Sequence, residues 1–228
     1  MNQWEKFFND VNPGNMSAMR SFVAGMPAPN IPVQKLPGDV AIMDVFSRLM
    51  MDRKIYFATE VSDLSCSIVN AQLLYLANED PESKITIFID TPGGSCSSGF
   101  GLVETIGFIP CPVETINMGM AASMGSLLLM AGNKEQKLRK SLPGSRVLIH
   151  QPRIIGGGGG VTTADELNNE AVEIMKTKKL LFDFIALRTG KTYEEIEGNA
   201  KLDQWLSAQE ALEYGCIDEI IKVDWSSK

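Results

Sequence analysis

Histidine is almost missing from this chain: 228 residues contain one, His150. A multi-histidine metal site is therefore excluded, and any imidazole chemistry has to sit at that position. Cysteine is scarce as well. Cys66, Cys96, Cys111 and Cys216 form no Cys-x-x-Cys pair, and one histidine cannot complete a zinc set, so free thiols in a reducing compartment are expected. Basic charge is in deficit, with 21 Lys and Arg against 28 Asp and Glu for a net charge of −7. Such a field repels phosphate backbones, which argues against nucleic acid as a partner. The first ten residues, MNQWEKFFND, have neither a basic nor an apolar stretch of the kind a secretory signal needs, so a cytoplasmic location is expected. The longest uncharged run, 115–133, holds Asn117, three glycines and two serines, and reads as buried strand, turn and helix instead of a membrane span. No Gly-x-x-x-x-Gly-Lys-Ser/Thr loop is present, so ATP binding of that kind is not expected of this chain.

Hydrophobic residues make up 44% and charged residues 21% of the sequence, which fits a globular domain. Residues 1–36 are rich in proline and lack sustained periodicity, and read as an extended or partly disordered arm. The compact domain is expected from residue 37 to the end. Asp39 reads as the N-cap of a helix bearing Ile42, Val45, Phe46, Leu49 and Met50 on one side. Strand-like runs follow at KIYFA, ITIFI, VETINM, RVLIH and EIIKV. Between them Asp63 is placed to cap a helix carrying Leu64, Ile68, Ala71 and Tyr75, and another helix is expected over about 122–130. Three S/T-x-x-E spacings mark helix starts at Thr163 with Glu166, Thr192 with Glu195 and Ser207 with Glu210. Gly190 and Gly215 are placed to end two helices. This alternation implies an α/β fold. Lys134, Lys137, Arg139 and Lys140 form a small basic run that reads as a solvated turn.

Three segments carry residue types suited to acyl transfer. In ETINMGMAASMGSLLLMAG, a strand, a tight turn at Gly119 and a helix would put Ser123 at a helix start, where unpaired N–H groups favour developing negative charge. The small residues Ala121, Ala122 and Gly125 would let a substrate backbone approach. An ordinary helix-capping serine is the alternative. In DTPGGS, adjacent glycines after a strand can point backbone N–H groups into a cleft, though Pro-Gly-Gly is also common turn chemistry. In SRVLIHQP, His150 ends an apolar strand, a place where, taken alone, a histidine is more often structural than catalytic. Together the three supply nucleophile, oxyanion donors and general base. The five glycines 156–160 lack the lysine of a phosphate loop, and read as a linker or as open backbone lying against an extended peptide.

Over about 40–223 the sequence resembles the ClpP family of Clp protease proteolytic subunits. The resemblance lies in FSRLMMDRKIYFATEVSD, IDTPGGS, NMGMAASMGSLLLMAG, LPGSRVLIHQP and DQWLSAQEALEYGCIDEII. It implies a ClpP/crotonase-like spiral of β-β-α units with a protruding handle over about 151–188, which includes a long helix from Ala164 to Arg188. It implies Ser123 as nucleophile, His150 as general base and Asp203 as the orienting acid, with backbone N–H groups of Gly94 and Met124 as oxyanion donors. Ser95 and Cys96 on one side and Ile154, Ile155 and Gly156 on the other would hold an extended substrate as an added strand. The handle helix carries Leu167, Ala171, Ile174, Met175, Leu181 and Ile185, a stripe suited to core or to ring-to-ring packing.

Heptameric rings, two of them stacked, and an AAA+ unfoldase of the ClpX or ClpA/ClpC type that delivers unfolded polypeptides are the partners the resemblance implies. The chain itself would need no cofactor, ATP being used by the unfoldase, and no membrane or nucleic acid is involved. The sequence departs from the family at Leu202, where an arginine is usual, and at Thr86, where an aromatic lines the ATPase-docking groove; Phe108 keeps one aromatic of that groove. Two alternatives stand beside the peptidase: a catalytically silent ring subunit, and an acyl-CoA enzyme of the crotonase fold.

Overall fold

The computed structural model describes residues 30–36, 39–154 and 163–226. Two compact units divide at Asp52 and Arg53. The first holds β1 (Asn30–Leu36), β2 (Asp39–Asp44) and α1 (Val45–Met51). β1 and β2 pair antiparallel, with Asn30 opposite Asp44. Here the expected helix start is corrected: residues from Asp39 are strand, and the cap is Asp44, whose Oδ1 accepts the Ser47 N–H at 2.9 Å. The alternation of Val40 and Ile42 with smaller or polar neighbours suits strand pairing as well as a helix face, and the partner strand decides it.

The second unit contains β3 (Lys54–Phe57), α2 (Asp63–Glu79), β4 (Ile85–Thr91), α3 (Cys96–Phe108), β5 (Val113–Ala122) and α4 (Met124–Ala131). After these come β6 (Arg139–Ser141), β7 (Arg146–Ile149), α5 (Ala164–Thr189), α6 (Tyr193–Asn199), β8 (Gln204–Ser207), α7 (Ala208–Tyr214) and β9 (Glu219–Ile220). Seven strands form one sheet in which every pairing is parallel except β7 with β8. The fold is therefore α/β, as the alternation implies. Parallel strands need a helix between them, and both faces of such a sheet become covered, which is why ITIFI is apolar almost throughout. Ile85, Ile87 and Ile89 are buried there, and Leu73 of α2, Leu129 of α4 and Phe182 and Ile185 of α5 complete the core.

The ten-residue β5 forks the sheet. Its first half, Thr115–Asn117, pairs with β6, whereas Met120–Ala122 pairs with β7. The register between β4 and β5 shifts at the same place, from Ile89 opposite Asn117 to Thr91 opposite Ala121. The extra residues of this bulge include Gly119, where a Cβ would lie 2.9 Å from Asp90 Oδ1, and the same oxygen accepts the Met120 N–H at 3.0 Å. Gly119 thus belongs to a bulged strand and makes no strand-to-helix turn; the strand runs on to Ala122.

Helix termini follow the sequence closely. All three expected capping boxes form, and Gly190 and Gly215 end α5 and α7 with φ of 82° and 92°. Two details differ. Ser62, not Asp63, caps α2, closing a capping box with Ser65. The buried face of α2 carries Cys66, Val69, Leu73 and Leu76, while Leu64 and Ala71 face outward. The stripe on α5 divides: Leu181 and Ile185 are core, and Leu167, Ala171 and Met175 are exposed.

The basic run is not uniformly solvated. Arg139 is among the largest fully buried side chains, whereas Lys134 and Lys137 are exposed. Lys140 is half-buried and spans Glu114 at 3.3 Å and Glu219 at 3.1 Å. Arg139 and Lys140 begin β6, inside the sheet, where a charge is tolerated only with partners. Glycines 156–160, together with Ile155, lie outside the described residues.

Candidate active site

Four chain segments meet at one end of the forked sheet. β4, β5 and β7 are mutually parallel there, so their C-terminal ends arrive together, the place where open α/β sheets form clefts. β4 delivers Pro92, Gly93 and Gly94; β5 delivers Ser123; β7 delivers His150. β8 runs the other way, with Gln204 opposite Ile149. His150 and Asp203 are the residues that directly follow and precede that last pair. Ser123 and His150 line one cleft although 27 positions separate them in sequence, and Asp203, 53 positions further on, is outside that lining.

Ser123 occupies the junction of β5 and α4 with φ of 53° and ψ of −122°. A positive φ is uncommon for a residue with a Cβ and persists only where the surroundings enforce it. They do: the Ser123 N–H donates to the Leu148 carbonyl at 2.9 Å, and the Ser123 carbonyl accepts both the N–H and the hydroxyl of Ser126, at 2.9 and 2.7 Å. The hydroxyl of Ser123 makes no capping hydrogen bond. This separates it from the helix-capping alternative, because a capping serine spends its oxygen on the second or third backbone N–H.

Gly93 and Gly94 pack against this junction with φ of 89° and 149°. A Cβ on Gly93 would lie 2.7 Å from Ser123 Cβ and 2.5 Å from the Ala122 carbonyl, so only glycine allows the approach. Thr91, fully buried, fixes this turn: its hydroxyl donates to the Thr59 carbonyl and accepts the Gly93 N–H at 3.2 Å. The Val61 N–H donates to Gly93 and the Ser95 N–H to Val61, each at 2.8 Å, holding Gly94 between them. No hydrogen bond runs from the N–H of Gly94 or of Met124 to another described residue. Both are therefore available as donors, and the Met124 N–H lies at the positive end of α4.

His150 Nδ1 is 2.6 Å from the carbonyl oxygen of Gln151. A carbonyl only accepts, so this contact calls for the proton on Nδ1, and in the neutral ring Nε2 then offers the lone pair that a general base requires. Asp203 accepts a hydrogen bond from Arg153 Nη2. Among the described residues no hydrogen bond joins His150 to Asp203, or Ser123 to His150. The cleft itself encloses about 260 Å³ and is lined by Glu60, Gly94, Cys96, Ser123, His150 and Arg153, with Leu181 and Ile185 of α5 among the apolar residues. Burial pushes the Cys96 thiol above its usual range, so it is no competing nucleophile.

The remaining sequence expectations divide. Ser95 sits at the cap of α3, its hydroxyl oxygen accepting the Ser98 N–H at 3.3 Å, and is not part of the cleft lining. Ile154 is exposed and also outside the lining. Ile155 and Gly156 lie outside the described residues. Ala121, Ala122 and Gly125 do not open the cleft to a substrate: the alanines are buried, and a Cβ on Gly125 would meet Thr91 Cγ2 at 2.5 Å. Their smallness serves packing behind the serine. Arg153 and Glu60 line the cleft and Thr91 fixes its turn without any residue motif that marks them. A charged residue three positions after the histidine is the one signal pointing to Arg153. All four cysteines are free, no group of residues suited to hold a metal ion occurs among the described residues, and no helix among them is long and apolar enough to cross a membrane.

Residues 37–224 match the Clp protease family. An ATP-dependent Clp protease proteolytic subunit of Porphyromonas gingivalis is 47% identical over 184 residues, covering 81% of this chain and 80% of that protein. The proteins of the same name from Bacteroides fragilis and Bacteroides thetaiotaomicron are 46% and 45% identical over 183 residues, covering 80% of this chain and 86% and 80% of theirs.

Proposed function

Because the chain belongs to the Clp protease family and is a serine endopeptidase of that kind, we propose that Ser123, His150 and Asp203 form its catalytic triad, with the backbone N–H groups of Gly94 and Met124 as the oxyanion hole. The observation that supports this assignment is the cleft at the ends of β4, β5 and β7, which Gly94, Ser123, Met124 and His150 line together; Asp203 is outside that lining and directly precedes β8, the strand paired with β7.

In the first step Ser123 Oγ attacks the scissile carbonyl carbon while His150 Nε2 takes the hydroxyl proton. The carbonyl oxygen becomes an oxyanion and is held by the N–H groups of Gly94 and Met124. Collapse of the tetrahedral species breaks the C–N bond, and His150 gives its proton to the departing amine. Water, deprotonated by His150, then attacks the acyl-serine ester and restores Ser123. Through both halves the Asp203 carboxylate would accept a hydrogen bond from the His150 Nδ1–H and stabilise the imidazolium. A carboxylate does this better than the neutral Gln151 carbonyl, because the charge that develops on the ring is positive.

The substrates are unfolded polypeptides, bound in extended form along the cleft with Cys96 on one wall. Assembly into two stacked heptameric rings, fed by an AAA+ unfoldase of the ClpX or ClpA/ClpC type, fits the exposed apolar side chains outside the cleft: Leu167, Met175 and Leu187 of α5, Phe108 and Leu202. ATP belongs to the unfoldase, and this chain takes no cofactor. Hydrolysis of a fluorogenic peptide by the wild type and by Ser123→Ala tests the triad, and seven-fold stacked rings in electron micrographs test the assembly. Peptide turnover that survives Ser123→Ala would overturn the reading.

A further inference from the structure

We propose that Arg153 is a positioning residue that competes with His150 for the carboxylate of Asp203, so that the site alternates between an idle arrangement and an assembled one. The proposal rests on Ser123, His150 and Asp203 being the triad. His150 and Asp203 are the next residues beyond the last β7–β8 pair, Ile149 with Gln204, and each of them holds another partner. Asp203 accepts from Arg153 Nη2, and the His150 Nδ1 proton goes to the Gln151 carbonyl at 2.6 Å. Both substitutes come from the short stretch that follows β7.

That stretch is tethered beside Asp203. The Gln151 N–H donates to the Ala200 carbonyl at 3.3 Å, three residues before the acid. With the two backbones tied together there, the exchange the proposal requires is a side-chain rotation of Asp203 from the guanidinium to the imidazole. The ion pair is also built to exchange. Its side chains are 57% and 41% exposed, against 2% and 11% for Arg139 and Asp218 deep in the sheet. Water screens the former and not the latter.

Arg153 lines the same cleft as Ser123. An extended polypeptide offers carbonyl oxygens there, and a guanidinium that turns to them releases Asp203 to His150. Occupied clefts would thereby hold the assembled triad, while empty ones rest with a neutral carbonyl behind the histidine.

The test uses the purified full-length protein and the rate at which a fluorophosphonate labels Ser123. Arg153→Gln should label roughly two- to five-fold faster than the wild type, the range over which an exposed ion pair shifts an equilibrium. The loss caused by Asp203→Asn should be larger by the same factor in the Arg153→Gln background. His150 is the sole imidazole, so its Nδ1 proton resonance is read without overlap. It should move downfield in Arg153→Gln and return in the double variant. Equal or slower labelling, with the same Asp203→Asn loss in both backgrounds, would overturn the proposal. Should Arg153→Gln fail to fold, rising salt on the wild type replaces it: screening the pair should move the resonance downfield, and an unmoved resonance counts against the proposal. Labelling that persists in Ser123→Ala would instead refute the triad itself.

Discussion

Arg139 and Asp218 form a buried two-pronged ion pair, Nε to Oδ2 at 2.9 Å and Nη2 to Oδ1 at 2.5 Å, that joins β6 to the approach of β9. The other guanidinium nitrogen donates to the carbonyls of Arg188 and Gly215, each at 3.0 Å. Asp218→Ala would leave a buried guanidinium without its counter-charge, and the folded state should lose about 3–5 kcal/mol. Urea unfolding of the variant beside the wild type measures this. A loss below about 1 kcal/mol, typical of an exposed pair, would show that water reaches the site.

Gly93→Ala should fold and yet fail in catalysis. The new Cβ would meet Ser123 Cβ and the Ala122 carbonyl, at a φ of 89° that alanine resists, so the turn carrying Gly94 has to shift. Displacing one oxyanion donor lowers turnover by about 10²- to 10³-fold. A fall in kcat with little change in KM is the expected signature, and steady-state kinetics on a fluorogenic peptide reads it.

Acid should weaken the sheet at Glu114. Burial alone would raise the pKa of its carboxyl, but hydrogen bonds from Lys84 and Thr86, and Lys140 beyond them, outweigh burial and hold it below the ordinary value of 4.5. A carboxylate with a depressed folded-state pKa contributes stability that is complete above the unfolded pKa and is lost as pH falls through the folded one. Stability measured from pH 6 down to about pH 3 should therefore fall less steeply in Glu114→Gln than in the wild type. Parallel curves would contradict the cluster's role.

Much of this fold and site is legible in sequence because local chemistry and tertiary placement agree. Thr163, Thr192 and Ser207 announce their helices through side chains that satisfy neighbouring backbone groups, and that depends on four consecutive residues at a time. SRVLIHQP and DQWLSAQEAL carry His150 and Asp203 within specific motifs. What sequence misses is decided at long range. Asp39 lies in a strand because residues 30–36 pair with it. Arg139 resembles its neighbours in composition, and its burial is accounted for by distant partners, Asp218 79 positions away and the carbonyls of Arg188 and Gly215. That Asp203 pairs with Arg153, 50 positions earlier, is likewise encoded in no local residue pattern.

His150→Ala should abolish peptide hydrolysis, lowering kcat by about 10⁴-fold or more, since no second imidazole is present to take the Ser123 proton. Its side chain is only half-buried, so the fold should survive, as circular dichroism and ring assembly would show. Activity near that of the wild type would remove His150 from the mechanism.

The nucleophile is the centre of the account, and mass-spectrometric localisation of a fluorophosphonate adduct on the assembled protein tests it most directly. One adduct, on Ser123, absent from Ser123→Ala, is the predicted result. An adduct on any other residue, or none from an assembled and folded protein, would contradict it.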